Sequence, residues 1–164
     1  MHLQNASADS MDNETAYVSR SADETFELGE RLGASLKGGE AILLTGGLGA
    51  GKTLFTKGVL NALSYDVDEV NSPSFTLVNL YKADPFDVYH IDLWRAKAGE
   101  DAAFSVGLDE ILEDDSAVVI IEWAERLGNF KLNRPAYLVH IDGDGEDPRA
   151  IRIERREQNS SATV

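Results

Sequence analysis

Cysteine is absent from the 164 residues, which excludes a disulfide framework, a thiolate metal site and a thiol nucleophile. Histidine is scarce: His2, His90 and His140 are scattered, without the spacing of metal ligands. Apolar runs are short, and none approaches the roughly 20 residues that a membrane-spanning helix needs. The polar start also lacks the apolar stretch of a signal peptide. The expectation is a cytoplasmic protein with no membrane segment. Basic residues number 15 against 29 acidic ones, for a formal net charge of −14. A chain this acidic repels bare nucleic acid unless its basic residues cluster. Arg152, Arg155 and Arg156 are the only dense basic group, and Glu154 and Glu157 dilute it. That pattern reads as a solvated strand end rather than an RNA patch. Any role in nucleic-acid metabolism should run through a protein partner.

What the chain does contain is sharper. Hydrophobic residues make up 43% of it, ample for one core at this length. Gly46-Gly47-Leu48-Gly49-Ala50-Gly51-Lys52-Thr53 matches G-x-x-x-x-G-K-(S or T) at every fixed position. A short apolar run, Ala41 to Leu44, precedes it, and a helix from Thr53 to Leu63 should follow. Gly47, Leu48, Gly49, Ala50 and Gly51 can then turn backbone N–H groups inward around phosphate oxygens. Lys52 adds a point charge for the outer phosphates, and Thr53 offers a hydroxyl to Mg²⁺. The helix N-terminus behind them favours anions. The motif in this context implies a nucleoside triphosphate as ligand.

The rest of the chain suggests the frame around that loop. Residues 1–14 are polar and read as a disordered tail, and residues 158–164 as a second tail. Thr15 to Ser19 alternates weakly, as an edge strand does. Ser21-Ala22-Asp23-Glu24 is a capping box opening a helix with Phe26, Leu32 and Leu36 on one face. Ser74 to Lys82 and Asp87 to Trp94 read as strands. The link between them is too short for a parallel crossover, so they should form an antiparallel hairpin. Gly99 to Asp115 reads as short helical turns around Gly107. Ala117 to Ile121 is continuously apolar, as a central strand buried on both faces requires. Ala136 to Ile141 and Ala150 to Ile153 should form a second hairpin across the acidic turn Asp142 to Pro148. The expected fold is α/β: a single P-loop NTPase domain over residues 15–157, with a mixed parallel and antiparallel central sheet flanked by helices.

Two carboxylates fall where a nucleotide site needs them. Glu122 follows the buried strand, at the carboxyl edge where open α/β sheets place ligands. Asp92 holds a similar place on the preceding strand. An acid at such a position contacts Mg²⁺ or orients the attacking water in many P-loop proteins. The hydroxyl-rich segment Ser72-Pro73-Ser74-Phe75-Thr76 has the composition of an ordinary loop or of a switch that senses phosphate. Trp123 suits a partner-facing anchor or a core edge. His90, alternating with Ile91, reads as structural.

In chain order, the glycine loop is followed by Asn71-Ser72-Pro73-Ser74-Phe75-Thr76-Leu77-Val78, Tyr89-His90-Ile91-Asp92-Leu93-Trp94-Arg95 and Ile121-Glu122-Trp123. The combination, over about residues 15–155, resembles the bacterial TsaE (YjeE) family. The resemblance implies an ATPase, weak in isolation, that uses ATP and Mg²⁺. It implies work through TsaD and TsaB, two actin-like-fold partners that transfer a threonylcarbamoyl group to an adenosine beside the tRNA anticodon. The tRNA itself would be met only indirectly. By position, Leu48 to Thr53 would hold the phosphates, Thr53 and Glu122 the Mg²⁺, and Asp92 would support hydrolysis beside Lys52. Ser74 and Thr76 would lie in the switch-like segment, with Trp123 near the active face. Ala22 would approach the base, and Arg149 the nucleotide from the last hairpin. One departure is Ala124 after Trp123, where the family often has proline. The alternative function is a small-molecule kinase, since the loop also fits G-x-x-G-x-G-K-T. Against it, no arginine-rich lid segment is present, with Arg126 and Arg134 isolated. The guanine-reading Asn-Lys-x-Asp of GTPases is absent as well.

Overall fold

Two apolar runs make the centre of the sheet. Ala41–Thr45 (β2) and Val118–Glu122 (β5) pair in parallel, and every residue of both is buried. The computed structural model describes residues 14–73, 75–96 and 100–157. Around the central pair lie β1 (Glu14–Ser19), α1 (Ala22–Ser35), α2 (Lys52–Ala62), β3 (Val78–Tyr81) and β4 (Val88–Asp92). Then come α3 (Glu100–Ser105), α4 (Leu108–Ile111), β6 (Ala136–Asp142) and β7 (Arg149–Arg156). The seven strands form one sheet in the order β1-β7-β6-β2-β5-β4-β3. Neighbours β6, β2, β5 and β4 run parallel, while β3, β7 and β1 are antiparallel additions at the two edges. This is the mixed α/β sheet expected from the sequence, with both hairpins in place.

Strand alternation splits the core in two. Ile42, Leu44, Val118, Ile120, Val139 and Ile141 face α1 and α2. Ala41, Leu43, Val119, Ile121 and Leu138 face the shorter elements α3 and α4 and the 3₁₀ turn Ala124–Leu127. Full burial of each Val, Leu or Ile side chain contributes about 1.5–3 kcal/mol. Helix α1 starts at the expected cap: Ser21 Oγ accepts the Glu24 N–H at 3.1 Å. Glu24 reaches back one residue beyond the cap and accepts the Arg20 N–H at 2.6 Å. A β-carbon at Gly29 would overlap the Phe55 carbonyl, and one at Gly58 the Phe26 carbonyl. These glycines let α1 lie directly against α2, which brings the first turn of α1 to the loop.

Three strand boundaries differ from the sequence reading by two residues or more. Strand β3 begins at Val78, not Ser74, because the chain turns before it: the Leu77 N–H bonds the Pro73 carbonyl at 2.7 Å and Leu77 has φ 65°. Strand β4 stops at Asp92, not Trp94, since the Asp92 carboxylate takes the Trp94 N–H at 2.8 Å and turns the chain away. Strand β7 runs to Arg156, not Ile153, because its ladder with β6 continues to the Ala136–Arg156 pair after the β1 ladder has ended at Glu154. Glu14, expected to end the first tail, instead opens β1 opposite Glu154. Residues 1–13 and 158–164, the rest of both expected tails, lie outside the described residues, as does Ser74. Among the described residues no helix is long and apolar enough to cross a membrane.

Candidate nucleotide-binding site

The loop between β2 and α2 closes over the carboxyl edge of the sheet. Gly46 has φ 139° and no room for a β-carbon, which would overlap the Ile141 carbonyl. Gly51, with φ 113°, caps α2, and a methyl there would sit 2.9 Å from Arg149 Nη1 and 3.6 Å from Thr25 Cγ2. The loop is therefore pressed between the last hairpin and the first turn of α1, which Ala22 opens. Lys52 folds back on the loop, donating to the carbonyls of Gly46 at 2.8 Å and Gly47 at 2.7 Å. Its Nζ lies 4.0 Å from the Trp123 ring centroid, and Trp123 packs on Trp94 at 4.2 Å between centroids. Burial pushes the Lys52 ammonium below its usual range, and Glu122, Glu125 and Asp92 pull it partly back.

Parallel pairing of β4 with β5 sets Asp92 directly beside Glu122. Both carboxylates are buried, at 4% and 2% exposure. The Thr53 hydroxyl donates to Glu122 Oε1 at 3.0 Å, joining the end of the loop to the end of β5. The other oxygen, Oε2, takes His90 Nε2 at 2.6 Å. Asp92 accepts the Ser72 hydroxyl at 2.9 Å as well as the Trp94 N–H, so it organises the turns around the cleft. Leu48, Gly49, Gly51, Lys52, Thr53, Ser72, Asp92, Trp94, Glu122 and Trp123 all line one cleft of about 220 Å³.

Other expected positions sit around this cleft rather than on its wall. Gly47 is exposed with open space around its α-carbon, and Ala50 is buried beneath the loop. The Thr76 hydroxyl donates to Asn79 Oδ1 at 3.1 Å, and Thr76 does not line the cleft. Arg149 is buried beside Gly51, and its Nε and Nη1 have no hydrogen-bond partner. Asp147 is the nearest carboxylate, 3.7 Å from Nε. Alternation along β4 puts His90 on the same face as Asp92, but its contact with Glu122 needs the β4–β5 register, which one sequence does not reveal.

These residues fit a nucleotide with a divalent cation. Gly47 and Gly49 leave room over the loop backbone, Arg149 offers buried nitrogens without hydrogen bonds, and Thr53 with Glu122 supplies hard oxygen ligands. No cluster of three or more His, Cys, Asp or Glu side chains suited to a metal exists among the described residues. A cation here therefore needs ligand oxygens too, as Mg²⁺ beside phosphates has.

Fold and site together define a P-loop nucleotide-binding protein. The crystal structure of Bacillus subtilus YdiB superposes with a TM-score of 0.66 at 27% identity, covering 92% of this chain and 90% of that one. Residues 19–153 match the family model described as threonylcarbamoyl adenosine biosynthesis protein TsaE. Relatives bearing the name tRNA threonylcarbamoyladenosine biosynthesis protein TsaE include one from Aquifex aeolicus, 36% identical over 85% of this chain and 95% of its own length. Another, from Treponema pallidum, is 38% identical over 76% and 87%. The chain belongs to the TsaE family, which takes part in tRNA threonylcarbamoyladenosine biosynthesis.

Proposed function

We propose that the protein binds ATP with Mg²⁺ in this cleft and hydrolyses it, and that it serves threonylcarbamoyl modification of the adenosine beside the tRNA anticodon through homologues of TsaD and TsaB. The observation that carries this reading is the Thr53–Glu122 contact of 3.0 Å at the mouth of the glycine loop. Thr53 and Glu122 would hold Mg²⁺, whose charge would offset that of the phosphates. Backbone N–H groups from Gly47 to Thr53 would bind phosphate oxygens, and Lys52 would exchange the Gly46 and Gly47 carbonyls for phosphate. Arg149 would pair its free nitrogens with an anionic oxygen, and the turn at Ala22 would lie toward the base. Asp92 would support hydrolysis by fixing Ser72 at the cleft, with Ser74 and Thr76 in a segment that responds to the bound phosphates.

Charge and surface support action through proteins rather than on RNA directly. The net charge of −14 opposes a bare RNA contact. Leu48 and Trp94 line the cleft yet stay 75% and 40% exposed, apolar surface suited to a partner. With ATP and Mg²⁺ alone the protein should release inorganic phosphate slowly. It should co-purify with the two actin-like partners from its native organism. Phosphate transfer to a small-molecule hydroxyl, seen by mass spectrometry, would replace this reading with a kinase.

A further inference from the structure

We infer that His90 is a positioning residue for Glu122 and the first link of a buried polar relay, through Tyr81 and Asn79, that couples the cleft to Asn71 and Thr76. The inference rests on the ATP and Mg²⁺ reading of the cleft. His90 is fully buried, and its Nε2 lies 2.6 Å from Glu122 Oε2. An ionised carboxylate only accepts, so Nε2 carries the proton of that bond. The same carboxylate takes the Thr53 hydroxyl on Oε1. Its two oxygens are thus held by different elements, α2 on one side and β4 on the other. A carboxylate gripped from behind by a buried imidazole keeps one orientation, as outer-shell partners of metal ligands do.

Beyond the ring the chain of contacts continues. Tyr81 Oη lies 3.5 Å from His90 Nδ1 and 3.1 Å from the Asn71 carbonyl. Asn79 Nδ2 donates to Tyr81 Oη at 3.2 Å, and Asn79 Oδ1 accepts the Thr76 hydroxyl at 3.1 Å. Tyr81 has a single hydroxyl proton. With the ring proton on Nε2, that hydroxyl has two acceptors in reach, Nδ1 and the Asn71 carbonyl. Giving it to Asn71, at the shorter distance, ties down the chain before the turn at 75–77. Giving it to His90 leaves the Asn71 carbonyl only the longer bond from Asn79 Nδ2, at 3.4 Å, and so loosens Asn71. These two discrete arrangements are what a coupling between sites requires, as opposed to mere proximity. A change at Glu122 that shifts the imidazole alters which of the two is favoured.

The test titrates a nonhydrolysable ATP analogue into the full chain, with and without Mg²⁺, and follows amide hydrogen exchange in the same samples. Two amide variants separate position from burial. In His90→Gln the side-chain N–H can still reach Glu122, whereas in His90→Asn it stops near the Nδ1 position. The gain in analogue affinity from Mg²⁺ should fall about tenfold or more in His90→Asn and largely recover in His90→Gln. Tyr81→Phe keeps the His90–Glu122 contact, so the Mg²⁺ gain should persist. It should nevertheless lose most of the analogue-induced change in exchange at Thr76 to Leu80. Equal Mg²⁺ gains in the Asn, Gln and wild-type proteins would overturn the positioning role. An undiminished exchange response in Tyr81→Phe would overturn the relay whether or not His90→Asn folds. Failure of the wild type to bind the analogue at all would instead sink the ATP reading beneath it.

Discussion

Two arginines, one at each end of β6, are buried to nearly the same degree and treated in opposite ways. Arg134, 7% exposed, sits just before β6 at the amino end of the parallel strands. Its guanidinium donates to the carbonyls of Ala117 at 3.0 Å, Leu112 at 2.9 Å and Asp114 at 3.3 Å. Arg149, 9% exposed, sits at the carboxyl end with no hydrogen bond to Nε or Nη1 and only Asp147, 3.7 Å from Nε, as a charge partner. An unpaired buried donor costs about 1–3 kcal/mol, more when charged. Arg134 is thus a structural clamp, and the larger depression beside it, about 560 Å³, does not reach the glycine loop. Arg149 makes sense as a residue completed by an anion.

The sharpest way to break this contrast is to remove each guanidinium in turn. Arg134→Met strips three carbonyls of their partner and should destabilise the fold by about 3 kcal/mol or more in urea unfolding. ATP affinity measured on the folded fraction should stay near that of the wild type. Equal stability would show that the clamp holds nothing.

At the other end the chemistry should suffer while the fold does not. Glu122→Ala should retain much nucleotide affinity yet lose phosphate release about a hundredfold, on the order of 3 kcal/mol of transition-state stabilisation. Unchanged turnover would remove the central carboxylate from the account. Arg149→Met should weaken ATP binding about tenfold or more, as loss of a charge-assisted bond of roughly 1.5–3 kcal/mol implies. Its stability without nucleotide should equal or exceed that of the wild type. Destabilisation matching Arg134→Met would erase the distinction. The smallest effect belongs to Arg152, exposed on β7 and 4.0 Å from Glu14. Arg152→Ala should change stability by less than about 0.5 kcal/mol and leave ATP binding alone.

How much of this was legible beforehand follows from the range of each interaction. The glycine loop was legible because its backbone conformation demands residues that the motif spells out one after another. Glu122 was legible because five apolar residues before it fix a buried strand and hence its end. The Ser21 cap and the pairing of both hairpins rest on local contacts and appear as expected, though Glu24 reaches back to the Arg20 N–H rather than that of Ser21. Register is different in kind. Asp92 and Glu122 lie thirty positions apart in the chain, and only the β4–β5 pairing sets them side by side and brings His90 within 2.6 Å of Glu122. The close approach of α1 to α2 through Gly29 and Gly58 is likewise a long-range fit, visible in the chain only as unexplained glycines. The early turn before β3 and the stop at Asp92 come from side chain and backbone bonds that compete with the ladder, which strand propensity does not register.

The central claim is that ATP is held by the glycine loop and its lysine. Calorimetric titration of ATP with Mg²⁺ into the wild type and Lys52→Ala tests it most directly. The wild type should bind, and the variant should lose binding or weaken about tenfold or more, the cost of one charge-assisted phosphate contact. Equal affinity in the two proteins would contradict the assignment of the loop and, with it, the site built around Thr53 and Glu122.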